Sequence, residues 1–293
     1  MKMQSSLFPG RSTDYAFTEI HTFRILQDTG IENPDTNAGN VWSRTIQSYL
    51  TQTGTNLVWW GRLLEDSLTV KLAVDWTSSA AYCAFISSHT FKDLAASWEQ
   101  IVTQPVESAA YDLPHYQPLR ETVFSKCRSG DFISALLTFH IPENIDLSAQ
   151  DPTDRLNRPR KAFFQNCWEI LKNKAVHSEG GIVASNAAGG WSLNTELNSN
   201  DHVSFFAALR WKSIDSMKKF IEEAFGKHWI ETGLPKMVEI AGGRMQMEFT
   251  SMYCFKEGWL GSVTKSEEDV PPNPSGLSNF WLDMLTISRT ARN

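Results

Sequence analysis

Two stretches of this chain carry residues whose types and spacing suit proton transfer. Across Phe17–Leu26 apolar and polar residues alternate, which predicts a strand with Glu19, His21 and Phe23 on one face and Thr18, Ile20, Thr22 and Arg24 on the other. A carboxylate and an imidazole at i and i+2 point the same way and can share a proton, as general-base chemistry near neutral pH requires. Across Leu68–Trp76, Lys71 shares a face with Ala73 and Asp75, so its ammonium can polarise a carbonyl or enolate oxygen if that face lines a cavity. His89, beside Ser88 at the start of a predicted helix, is a further donor, and Tyr111 lies on a later strand. Trp59, Trp60 and Trp191 are candidates to line a pocket. Adjacent strand residues face opposite ways, so one of Trp59 and Trp60 points inward, and the pattern leaves open which.

The elements that would position these groups come twice. Thr22-Phe23-Arg24-Ile25 returns as Thr138-Phe139-His140-Ile141, and Val70–Trp76 is echoed by Phe205–Trp211, each Trp being followed nine residues later by Phe-Ile. Two echoes in the same order point to a duplicated unit. The first copy reads as a strand (17–26), a helix (41–50, with Asn40 as cap), two strands joined at Asp66-Ser67 (56–65 and 68–76), helices from Ser78 or Ser79 and from Phe91, and a strand (106–113). That β-α-β-β-α-β order is the ferredoxin-like split βαβ arrangement. The second copy predicts strands at 132–141, 181–193, 202–211 and 244–255 and helices within 152–176 and 213–225. The expected organisation is a mobile arm (1–14), a first unit (15–113), a second (132–255) and a tail (256–293) docking on the body. A unit of this kind buries its open sheet face on its twin, which predicts an α+β fold with two antiparallel sheets facing each other. The echo also aligns Glu19 and His21 with Ala135 and Leu137, and Lys71 and Asp75 with Phe206 and Arg210. Opposite charges at Asp75 and Arg210 suit pairing across the two halves.

Composition narrows the partners. The 293 residues include 11 Trp and 17 Phe, enough aromatic area for a core and for a pocket taking a flat apolar ligand. A net charge of −6 with no dense Lys/Arg block argues against a nucleic-acid partner. Cys83, Cys127, Cys167 and Cys254 form no CxxC or Cys/His cluster, so neither zinc nor a disulfide framework is expected. No apolar leader or long apolar run appears, which predicts a cytoplasmic chain without membrane insertion. Motifs for dinucleotides, phosphate loops, serine hydrolases and zincins are missing, and no His is placed as a haem ligand, so no cofactor and no metal are expected.

Val58-Trp59-Trp60-Gly61-Arg62, Val74-Asp75-Trp76 and Phe85-Ile86-Ser87-Ser88-His89 resemble the fungal branch of the dimeric α/β-barrel superfamily related to antibiotic-biosynthesis monooxygenases and stress-responsive A/B barrels, here in fused single-chain form. The resemblance implies two split-βαβ units forming one barrel, and activities ranging over cofactor-free oxygenases, cyclases, isomerases and decarboxylases to proteins without known chemistry. Where barrel-type polyketide cyclases carry their acid–base Tyr and His, this sequence has Phe85 and Phe91, so that particular mechanism is not implied. The reading that follows is a cofactor-independent cyclase or isomerase, a pericyclase such as a Diels–Alderase included, acting on an apolar polyketide- or terpene-derived intermediate. The expected catalytic residues are Glu19, His21, Lys71 and His89, and the expected substrate contacts are Trp59, Trp60, Tyr111, Trp191, Phe206 and Arg210. A cofactor-free monooxygenase or decarboxylase and a non-catalytic carrier are the alternatives. The chain is expected to be a monomer or a weak homodimer.

Overall fold

In the computed structural model the described residues are 16–27, 30–113, 133–142, 187–193, 202–211, 245–250 and 253–255, with a few single positions between 213 and 219. The expected arm, the tail, the 152–176 helix and most of the 213–225 helix lie outside them.

The first sheet forms from β1 (Phe17–Arg24), β2 (Thr55–Arg62), β3 (Thr69–Trp76) and β4 (Glu107–Tyr111), and α1 (Asn37–Leu50), α2 (Ser79–Ile86) and α3 (His89–Trp98) cover one of its faces. The second contains β5 (Ile133–Pro142), β6 (Ala187–Trp191), β7 (His202–Trp211) and β8 (Met245–Thr250). Strand orders are β4-β1-β3-β2 and β8-β5-β7-β6, the same antiparallel permutation in both. The registers agree residue for residue: Phe17 faces Trp76 as Ile133 faces Trp211, and His21 faces Leu72 as Leu137 faces Ala207. The duplication read from two short echoes is thus carried by the hydrogen-bond ladders.

Alternation sorts the side chains into two layers. Phe17, Phe23, Val58, Trp60, Val70, Leu72, Val74 and Trp76 pack under the helices, where Val41, Trp42, Ile46, Tyr49, Phe85, Phe91 and Trp98 meet them. Ile20, Leu57, Trp59, Ala73, Tyr111 and Leu113 face the other way and join Leu136, Ala188, Phe206 and Ala208 of the second sheet in a shared core. The structure is therefore an α+β fold of dimeric α/β-barrel type within one chain.

Both seams between the sheets are stitched. The expected last strand, 244–255, serves both sheets: β8 pairs with β5 in the second, while β9 (Tyr253–Phe255) pairs with β2 at the edge of the first. At the opposite seam the end of β4 reaches β6, with Asp112 N donating to Trp191 O at 2.9 Å and Leu193 N to Ala110 O at 2.8 Å. Gly190 is required there, since a Cβ would stand 2.0 Å from Asp112 O.

Helix α1 begins earlier than the pattern predicts. Thr36, not Asn40, is the cap: its Oγ1 accepts from Gly39 N at 2.9 Å. The start is possible because Gly39 lies against the backbone of Asn33, at a point where a Cβ would come within 1.7 Å of Asn33 O. Ser78 and Ser88 cap α2 and α3 in the same manner. No helix among the described residues is long and apolar enough to cross a membrane.

Candidate functional site

The predicted site residues divide among three places. Glu19 and His21 lie in the layer between the first sheet and its helices, with Trp60. Lys71, Trp59, Tyr111, Phe206 and Arg210 belong to the faces turned toward the other sheet. His89, the first residue of α3, is exposed, and Trp191 stands opposite Phe205 on the outer face of the second sheet, ring centroids 4.8 Å apart. One pocket shared by His21 and Lys71 is not what the strands build. His21 pairs with Leu72, so its neighbour across the ladder points to the helices while Lys71 points away.

Glu19 and His21 are buried, at 3% and 0% exposure, rather than on a rim. His21 Nε2 stands 2.9 Å from Tyr49 Oη and 3.2 Å from Glu19 Oε2, and its Nδ1 stands 2.6 Å from Ser108 Oγ. Glu19 Oε2 also accepts from Trp76 Nε1 at 3.2 Å, and Tyr82 hydrogen-bonds the same carboxylate. Each group is delivered by a different element: Glu19 and His21 by β1, Ser108 by the facing position on β4, Tyr49 by the inward stripe of α1, Trp76 by β3 and Tyr82 by α2. The surround is aromatic, with Phe23, Tyr49 and Trp98 centred within about 6 Å of the imidazole.

Electrostatics fixes the roles within this cluster. Burial first, and the Glu19 charge second, push the Tyr49 phenol well above its ordinary range; Tyr82 is raised for the same two reasons, so both stay neutral. A carboxylate beside Nε2 is satisfied when that nitrogen carries a proton, which leaves Nδ1 as the atom able to take one from Ser108. The arrangement is a proton acceptor whose other ring nitrogen faces a hydrogen-bonded carboxylate. Ser108, Tyr49 and Tyr82 were not singled out in the sequence. A signal existed for Tyr49, whose polar head is carried into the core by the apolar spacing of α1, and for Ser108, which alternation puts on the same face as Ala110.

Between the sheets the polar groups are paired differently. Lys71 Nζ contacts Glu248 Oε2 of the second sheet at 2.7 Å and donates to Thr22 Oγ1 at 3.0 Å. Its charge is engaged by a carboxylate from the other sheet. Thr18 Oγ1 donates to Asp75 Oδ1 at 2.6 Å, Tyr111 stacks on Phe206 at 5.0 Å, and Arg210 is 2% exposed on β7. Burial, then the Glu248 charge, raise the Tyr111 phenol. Trp59, fully buried, is the tryptophan of this inner core; Trp60 packs on Trp42 beneath α1, at 5.3 Å. Among the described residues no three of His, Cys, Asp and Glu are grouped to hold a metal ion.

No protein-family model matches the sequence, and no curated protein matches it. Solved structures do. A candidate monooxygenase from Fusobacterium nucleatum subsp. nucleatum is similar with a TM-score of 0.51 and 11% identity, over 84% of this chain and 97% of that one. A candidate monooxygenase from Lactobacillus acidophilus gives 0.47 and 11%, over 83% and 97%, and an anthrone oxidase-like protein gives 0.49 and 13%, over 84% and 94%. At such identities the likeness concerns the fold, and activity has to be argued from the site.

Proposed function

We propose that this chain is a cofactor-independent enzyme that moves a proton on an apolar, enolisable intermediate of polyketide or terpene origin, the step that starts a cyclisation or an isomerisation. The observation that carries the reading is the His21 ring held between Glu19 and Tyr49 inside an aromatic layer. Taking a carboxylate and an imidazole out of water costs several kcal/mol even when they pair. The twin sheet fills the same register with Ala135 and Leu137, both buried, so the fold has no need of that expense. Spent in one half alone, it supports a chemical use.

In this reading His21 Nδ1 takes the substrate proton, Glu19 stabilises the imidazolium that results, and Tyr49 keeps the ring oriented. The aromatic rings around it favour a flat apolar substrate and exclude water from the carbanion. The inner-face residues Lys71, Trp59, Tyr111, Phe206 and Arg210 then serve the joining of the two sheets. His89 and Trp191, remote from the imidazole in layer and exposure, are left without a catalytic part.

A second reading has one observation in its favour, the fold likeness to the Fusobacterium candidate monooxygenase. A carbanion formed by the same proton abstraction and handed to dioxygen would give oxygenation in place of cyclisation. The test is turnover of enolisable aromatic polyketide analogues, followed together with oxygen uptake, by the parent and by His21→Gln. Turnover lowered about 10²-fold or more in the variant supports His21 as the base. Turnover within about threefold of the parent rejects it, and tight binding without turnover in the parent would make the chain a carrier. Oxygen consumed in step with product favours the oxygenase.

A further inference from the structure

All but one of the polar side chains around His21 are sealed from solvent. Glu19, Tyr49, Trp76 and Tyr82 are each 3% exposed or less, whereas Ser108 is partly exposed on β4, the edge strand of its sheet. Its hydroxyl is also the closest partner of the imidazole, 2.6 Å from Nδ1, while Nε2 stands 3.2 Å from the Glu19 carboxylate. Hydroxyl, imidazole and carboxylate thus form one chain of hydrogen-bond contacts, in the order that activates a serine for acyl transfer. With Nε2 protonated toward Glu19, Nδ1 presents its lone pair to the Ser108 hydroxyl. The duplicated half again provides a control within the molecule. In the same register the second sheet has Ala135 for Glu19, Leu137 for His21 and Met247 for Ser108, so the three groups are replaced together.

We propose that Ser108 is a nucleophile, activated by His21 and Glu19, that accepts the acyl group of a small ester or lactone. Ser108 Oγ bonds to the carbonyl carbon as its proton passes to His21 Nδ1. The carbon–oxygen bond to the leaving alcohol breaks and that alkoxide takes the proton, leaving an acyl-serine. Water then attacks the acyl carbon, gives a proton to His21, and Ser108 leaves as the alkoxide and recovers it, so one ester and one water become one acid and one alcohol. This goes beyond the proton-transfer reading: it shares the imidazole but takes a different substrate class and passes through a covalent intermediate. The sequence around Ser108, Glu107-Ser108-Ala109-Ala110, has none of the glycines of a nucleophile elbow, and strand pairing alone brings the serine to its base.

Diisopropyl fluorophosphate, which forms an Oγ–phosphorus bond and releases fluoride, tests the assignment directly. A single adduct is expected on the full chain by intact mass, mapped to Ser108 by peptide analysis, absent in Ser108→Ala and formed at least about tenfold more slowly in Glu19→Gln. Ser108→Ala removes one oxygen at a partly exposed edge, so a folding failure is not expected to obscure the result. Ser108→Cys gives a second readout: the introduced thiol should react with iodoacetamide with a pH midpoint below the ordinary ~8.5. Cys83, exposed and pushed up by its partial burial, reports an unassisted thiol in the same chain. No adduct, an adduct on another residue, an unchanged rate in Glu19→Gln, or a thiol at 108 titrating at or above the ordinary ~8.5 would overturn the proposal.

Discussion

The consequences of burial at single residues differ on the two sides of the first sheet. Beneath the helices Glu19 has three hydrogen-bonding neighbours and His21 has two besides it, so the polar groups there are engaged. At the seam with β8 the balance is less favourable. Both carboxyl oxygens of Glu65 accept from Phe249 N, at 3.0 and 3.2 Å, yet lost hydration, then Glu248 and Asp66 nearby, outweigh those bonds and raise its pKa from 4.5 to about 7. The folded state therefore holds a proton that the unfolded chain has lost. Below pH 4.5 both states are protonated; as the pH rises to about 7 the unfolded state gains, and above 7 the penalty is constant. Glu65→Gln keeps an acceptor for Phe249 N without the charge. Its melting temperature should exceed the parent's by a few degrees at pH 8, and the difference should vanish near pH 4. Because the Glu65 side chain is exposed to water, solvent screening keeps the effect small. Equal melting curves at pH 8 would refute the reading.

At the scale of elements, α1 is the piece whose start depends most on contacts outside itself. Alanine at an interior helix position normally stabilises relative to glycine by about 1 kcal/mol. At Gly39 the sign should reverse, because the new Cβ would stand inside the Asn33 carbonyl and the backbone, not a flexible side chain, would have to move. Urea unfolding of Gly39→Ala is expected to show a loss of roughly 2 kcal/mol or more. An unchanged or higher midpoint would mean that the 30–36 turn adapts freely. The matter bears on function, since α1 carries Tyr49 to His21 and Thr45 to Trp98. A helix entering a few tenths of an ångström out of place loosens both contacts at once.

For the whole molecule, the two halves are joined by β9 pairing with β2 at one seam, by backbone hydrogen bonds between β4 and β6 at the other, and by a buried ion pair between the sheets. Lys71 and Glu248 come from different sheets and are each about nine-tenths buried in their side chains. Removing one partner leaves the other charge uncompensated, so Lys71→Met should cost about 3–5 kcal/mol, whereas Lys71→Met combined with Glu248→Leu should recover most of it. A double-mutant cycle by chemical denaturation measures this. If the single and double variants are equally destabilised, the pair is not what couples the sheets. The same variants should leave the environment of His21 unchanged by imidazole NMR, because the barrel interior and the helix layer are separated by the sheet itself.

What the sequence determined by itself was the set of layers. Hydrophobic alternation and two short echoes are local properties, legible residue by residue, and from them follow two like sheets, the helix-covered face of the first and the polar positions at 19 and 21 that the copy lacks. The start of α1 is set by a turn packed against Gly39, which no local pattern announces, and the end of the last strand that joins the first sheet is set by its partner strand β2. The tertiary structure alone decided which of Trp59 and Trp60 lies between the sheets, for alternation fixes opposite directions but gives neither an absolute inside. It alone brought Ser108 and Tyr49 to His21, 87 and 28 residues away in the chain, since a hydrogen bond across such a separation is set by register and helix docking and leaves no periodic trace. It also took Lys71 out of the company of His21, because neighbouring positions on paired strands that face opposite ways are close in the ladder and divided by the sheet.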